Sequence, residues 1–231
     1  MSFRLTAFFI LFTGVVSAQS NHARSVQLSF VPTINGENLI LGKSYSLFSD
    51  TFTISACRFY ISQIQFLKDG EFVFADPTSA HLVDCSDERS TNIEIFCSNN
   101  IEFTRAQFLV GIDSATNSSG ALDGDLDPTK GMYWSWQSGY INIKIEGAKT
   151  SEDSEKAEFQ FHLGGYLPPN LAAQIVNIDV ANTDSIQLEV DLEQFLKSID
   201  LKARQRVMSP SAEALILSGE FSNSIHLKNA Q

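Results

Sequence analysis

Two tryptophans, Trp134 and Trp136, are the only ones in the chain, and they stand two residues apart in Asp127-Pro-Thr-Lys-Gly-Met-Tyr-Trp-Ser-Trp-Gln-Ser-Gly-Tyr-Ile141. Residues 140–145 alternate apolar and polar side chains, the mark of a half-buried strand. If the strand already runs at position 134, its period of two puts both indoles on one face. Such a pair is either a large aromatic plug for a core or part of a site. Soft donors lie around it in the sequence: His22, His81, His162 and His226, with Met132 and Met208. Imidazole and thioether suit soft transition-metal ions, Cu(I) among them. His162 alternates with Phe161 and Leu163, so on a strand it faces away from the apolar row Phe159, Phe161 and Leu163, and Gly164-Gly165 lets the backbone turn directly after it.

Other chemistries fit less well. Asp123-Gly-Asp125-Leu-Asp127 opens like an EF-hand loop, but Pro128 stands where glycine is required and Trp134 where a bidentate Glu belongs. There is no nucleophile elbow, no His-Glu-x-x-His and no phosphate-binding glycine loop, and the chain reads as a non-enzyme. A formal charge of −11 sets it against nucleic acid and anionic membranes. Cys57, Cys85 and Cys97 match no zinc spacing and read as structural. One pair could close a disulfide; Cys85 and Cys97 are nearest in sequence, and the odd count leaves one thiol over.

The elements that must position these residues are mostly strands. Residues 1–18 read as a secretory signal peptide, with Arg4, a short apolar run and Val16-Ser-Ala18 before the cut. No apolar run is long enough to span a membrane comfortably, so export to the periplasm or the exterior without membrane insertion is expected. Residues 19–231 read as one domain. Strand chemistry appears at 26–30 and along 52–66, with Phe52, Ile54 and Ala56 on one phase and then Tyr60, Ile64 and Phe66. Asp69-Gly70 marks a hairpin before Phe72-Val-Phe74. Further strands read at 93–97, 103–112, 140–145, 158–163, 175–180 and 185–190. This density of short strands predicts an all-β, antiparallel, Greek-key-like sandwich. Short helices are expected at 192–199 and 210–217, the second capped by Ser209 ahead of Pro210. Residues 113–127 read as a long loop delivering the chain into the Trp134 run, and 150–156 as a hairpin tip.

The Trp134 run resembles the segment that marks the MbnP-like family, the copper-binding proteins associated with methanobactin and their bacterial relatives. Tyr60-Ile-Ser-Gln-Ile64, His81-Leu-Val-Asp84, Phe159-Gln-Phe-His-Leu-Gly-Gly-Tyr166 with Pro168 and Asn170, and Val207-Met-Ser-Pro-Ser-Ala-Glu213 follow the family's order and spacing. The resemblance implies an exported protein in which Cu(I) is held by histidine and by a kynurenine made from an oxidised tryptophan. Trp134, Trp136 and His162 match the family's tryptophan and histidine positions, His81 lies in a matching segment, and Met132 adjoins the site. The oxidising partner it implies is a dihaem protein of the cytochrome c peroxidase type. Where some relatives carry a histidine close to the modified tryptophan, this chain has Trp136 and Gln137, so the second histidine must come from His81 or elsewhere. The competing reading is a secreted β-sandwich interaction module without metal.

Overall fold

The computed structural model describes residues 23–78, 80–135, 137–151 and 155–228. The proposed signal peptide, His22 and Trp136 lie outside the described residues. In chain order the first strands are β1 (Ala23–Ile34), β2 (Glu37–Asn38), β3 (Ser44–Leu47), β4 (Asp50–Lys68), β5 (Glu71–Ala75), β6 (Ala80–Asp84), β7 (Asn92–Ser98) and β8 (Arg105–Val110). Helix α1 (Ser114–Ser118) follows, then β9 (Tyr133–Ser135), β10 (Gly139–Thr150), β11 (Lys156–Gly164), β12 (Gln174–Asp179) and β13 (Ser185–Asp191). The chain closes with α2 (Leu192–Lys197), β14 (Arg206–Val207), α3 (Ala212–Asn223) and β15 (Ile225–Leu227).

These strands form a β-sandwich, as the sequence predicts. The smaller sheet runs β15-β13-β1-β2 with β7 also on β1, and the larger runs β12-β8-β4-β10-β11-β14 with β3, β5 and β6 on β4 and β9 on β10. Most pairs are antiparallel, but β1 with β13 and β11 with β14 are parallel. Hairpins dictate direction only between sequence neighbours. The two partners in each of these pairs are joined through other elements, so nothing local fixes their sense. Asp69 and Gly70 both take positive φ, 51° and 86°, as the tight turn between β4 and β5 requires.

The main core fills the space between the sheets and is rich in phenylalanine. Phe30 meets Phe59 and Phe108 edge-on at 5.7 Å, and Phe221 of α3 reaches Phe59 at 5.3 Å. β4 feeds this core on changing phase. Phe52 and Ile54 point inward, then Cys57, Phe59 and Ile61, then Ile64 and Phe66. Register shifts between Glu146 and Gly147 of β10, opposite Ala56 and Ile54, and between Ser62 and Gln65 of β4 produce the two changes, Gln63 itself having φ 49°. Ala56 and Tyr60 therefore leave the inward row in which a simple alternation would place them.

The C-terminal helices sit close to the expected places. The cap of α3 is Ser211, whose side chain accepts from the Ala214 N–H, rather than Ser209. Residues 113–132 are more ordered than a loop: α1 starts at Asp113, whose carboxylate accepts the Ala115 and Thr116 N–H groups, and two 3₁₀ turns follow at Gly124–Leu126 and Pro128–Lys130.

Candidate metal centre

The outer face of the larger sheet carries its own apolar cluster, separate from the main core. Tyr60, Ala80, Leu82, Tyr140 and Ile141 form it from the sheet, and Ile112, Leu126 and Met132 come from the segment folded over it. That segment is pinned by polar contacts. The Tyr60 hydroxyl donates to the Asp125 carbonyl at 3.0 Å, and burial raises its pKa well above that of an ordinary tyrosine. The Tyr140 hydroxyl accepts from the Leu122 N–H and donates to the Leu126 carbonyl. Asn117 accepts the Tyr140 N–H at 2.8 Å while donating to the Ile112 carbonyl. Gly139, beside it, must lack a side chain: a Cβ there would stand 2.2 Å from Asn117 Oδ1.

The loop acids hold this cover in place. Asp125 accepts the Leu82 N–H at 3.0 Å and pairs with Lys130 at 2.6 Å. Asp127 accepts the Thr129 N–H at 2.8 Å. They serve as fasteners for the segment. Among the described residues no group of three or more His, Cys, Asp or Glu side chains converges as a metal-binding cluster.

The cover delivers the chain into a small hairpin in which Ser135 pairs with Gly139 and Tyr133 with Tyr140. The Tyr133 and Tyr140 rings meet at 4.8 Å and anchor it. The Trp134 indole then lies against the end of β11. A Cβ built on Gly164 would come within 2.9 Å of the Trp134 ring and 2.6 Å of the Tyr140 carbonyl oxygen. Only glycine at 164 leaves room for the indole, a packing role that the Gly-Gly pair does not disclose in the sequence.

His162 precedes Gly164 by two residues on β11, so both face outward, about 6.6 Å apart along the strand. Phe159, Phe161 and Leu163 face the main core, as the alternation predicts. His162 is far from solvent, only 8% exposed. Its Nε2 lies 2.6 Å from Glu146 Oε1 of β10. Lys144, directly opposite His162 in the ladder, sits 3.6 Å from the same carboxylate. Burial lowers the His162 pKa against the pull of Glu146, with Lys144 helping to lower it. Burial works to raise the Glu146 pKa, but the hydrogen bond from His162 and the charge of Lys144 outweigh it and leave it lowered. Both directions describe a neutral imidazole whose Nε2–H donates to a carboxylate. That tautomer keeps the lone pair on Nδ1, and a carboxylate behind the opposite nitrogen is the usual support of a metal-ligating histidine.

The other sequence candidates fall elsewhere. The ladder pairs Lys144 with Arg58, Arg58 with Asp84 and Ile61 with His81. Arg58 and Asp84 share the face of His162, so His81, an odd number of residues away on the same strand, points to the opposite face. Its Nε2 is held at 2.6 Å by Asp76. Met132 is wholly buried in the outer cluster. Met208 directly follows Val207, which pairs with Phe161, and is 42% exposed on the sheet edge next to β11. His226 belongs to the other sheet, 3.5 Å from Glu189. The structure thus brings Trp134 to the face and neighbourhood of His162 but not His81, and adds Glu146 and Lys144. Neither addition belongs to a motif; only knowing that β10 pairs with β11 would have found them.

Fold and site together define a β-sandwich protein whose larger sheet carries on its outer face a carboxylate-held imidazole and, two residues further along the same strand, a glycine on which an indole packs. Among the described residues, no helix is long and apolar enough to cross a membrane. The family model described as MbnP matches residues 23–209, and the chain belongs to that family. It is also similar in fold to MbnP from Methylosinus trichosporium, with a TM-score of 0.57 at 15% identity, over 84% of this chain and 88% of that one. No curated protein matches.

Proposed function

We propose that the protein is an exported, non-catalytic copper-binding protein, in which His162 and a kynurenine made from a tryptophan hold Cu(I). The observation that carries this reading is the arrangement just described: a buried His162 whose Nε2 is held by Glu146, leaving Nδ1 as the ligating atom, with Trp134 packed on Gly164 two residues along the same strand. An intact indole cannot complete such a site, because its N–H is a donor only. Cleaving the indole C2–C3 bond with two oxygen atoms from peroxide, and then hydrolysing off the formyl group as formate, leaves an aryl amine and a ketone. Both have lone pairs. Imidazole with such a nitrogen suits the low coordination number and soft preference of Cu(I). A dihaem peroxidase-type partner would supply the oxidising equivalents, and this protein would be its substrate first and a copper carrier afterwards.

The test is a Cu(I) competition titration on protein from its native host and on protein made without the oxidising partner. The host protein should show one carbon replaced by one oxygen in its intact mass and bind Cu(I) far more tightly. Equal affinity in the two preparations overturns the reading. A metal-free interaction module gains support from the exposed Leu167, Leu171 and Met208, since Pro210 packs against Gly165 and brings these two segments together. Host protein with two unmodified tryptophans and no copper would decide for it.

A further inference from the structure

The register that pairs Arg58 with Asp84 places Cys57 directly across from Cys85, just beyond the end of β6. The Cys85 N–H donates to the Cys57 carbonyl at 3.0 Å. Hydrogen-bonded antiparallel partners have Cα atoms about 5.5 Å apart, within the usual disulfide range of about 4.4–6.8 Å. Both side chains turn toward the main core: Cys57 is fully buried in it and Cys85 packs against it, half-buried. The Cys85 side chain beside it and burial both hold the Cys57 thiol protonated, with its pKa well above the ordinary value. Cys97 is elsewhere. It faces Arg24 near the far end of β7, and β7 carries it about 17 Å beyond Asn92, which lines the same cleft as Cys85. The pair nearest in sequence, Cys85 and Cys97, is therefore not the pair in contact.

We propose that Cys57 and Cys85 form a disulfide, made by thiol–disulfide exchange with an oxidant that carries a disulfide, and that Cys97 remains a thiol. Access is one-sided. Cys85 opens into a cleft of about 410 Å³ lined by Pro32, Leu39, Glu88 and Asn92, whereas Cys57 is sealed in the core. The Cys85 thiolate attacks one sulfur of the donor disulfide, whose S–S bond breaks and releases a donor thiolate. Cys57 then gives up its proton and attacks the Cys85 sulfur of the mixed disulfide, expelling the second donor thiolate. Two electrons pass from the cysteines to the donor, which leaves as two thiols. The bond ties the middle of the central strand β4 to the β6–β7 turn, next to the Arg58–Asp84 ion pair. It also removes from the interior two soft ligands that would compete for Cu(I). A Cu(I) bis-thiolate at the same place would require both sulfurs deprotonated inside an apolar core, which burial opposes. The inference stands on the cysteines alone and does not depend on the copper site.

The experiment is thiol trapping on the full chain. Protein equilibrated with oxidised glutathione is denatured, alkylated without reductant, and mapped by mass spectrometry. One adduct is expected, at Cys97, with a cross-linked peptide joining Cys57 to Cys85 and two further adducts after reduction. Cys97→Ser should show no adduct before reduction, and Cys85→Ser should show two. Oxidised wild type should melt on the order of 5–10 °C above reduced wild type, a difference absent in Cys85→Ser. Three adducts in the oxidised protein, a Cys85–Cys97 cross-link, or Cu(I) shielding Cys57 and Cys85 from alkylation with no disulfide present would each overturn the proposal.

Discussion

His162 Nε2 lies 2.6 Å from Glu146 Oε1, across two paired strands, with the imidazole largely buried and the carboxylate partly open to water. This one bond sets the tautomer of the imidazole, and with it the atom that can ligate.

Glu146→Gln should weaken Cu(I) binding by about 10- to 100-fold, the usual cost of losing the carboxylate behind a ligating histidine. The amide can still accept a hydrogen bond, so the fold should hold. A chelator competition with unchanged affinity in the folded variant would remove Glu146 from this role.

His162→Ala should weaken Cu(I) binding at least about tenfold, or roughly 1.4 kcal/mol. Because His162 is buried against a carboxylate, the alanine variant also strands Glu146. His162→Gln keeps a donor for Glu146 and serves as the folded control, which should lose copper affinity equally.

Metal-free protein should lose stability as the pH falls through the histidine range. Burial holds the His162 pKa below 6.5 in the folded state, so the unfolded chain binds the proton first. Stability then rises with pH between the folded value and 6.5, and is lost as pH falls through that window. Urea titrations of wild type and His162→Gln across the window should show a shallower slope in the variant. Equal slopes would mean that His162 titrates like an exposed histidine.

Gly164→Ala should destabilise the protein by about 1–3 kcal/mol, because the new methyl overlaps both the Tyr140 carbonyl and the indole of Trp134. In a Trp136→Phe background the emission of Trp134 should shift to the red as the ring is pushed outward. An unshifted spectrum would show that the indole does not rest on Gly164.

Trp134→Phe should cost some stability through the ring area lost against Gly164, and Trp136→Phe is its companion variant. Only one should also abolish the mass change and the copper affinity gained with it, and Trp134, placed beside His162, is the residue expected to do so. Intact mass of both variants after treatment with the oxidising partner decides between them.

The sequence alone determined the sandwich, the Asp69-Gly70 turn, the family, and the outward face of His162. Each depends on local periodicity, turn chemistry or a motif, all of which are written in consecutive residues. Tertiary structure decided what meets what. Glu146 became the partner of His162 because β10 and β11 pair in one register, and that register is fixed by burying Ile143 and Ile145 with Phe161 and Leu163. His81, strand-like and in a matching segment, went to the other face because one residue along a strand inverts the side chain. Cys57 found Cys85 by the same ladder, across 28 residues of chain that spacing could not interpret. The two bulges of β4, at Ser55 and near Gln63, reversed its inward phase twice, and an inserted residue of that kind leaves no mark in a pattern of apolar and polar side chains.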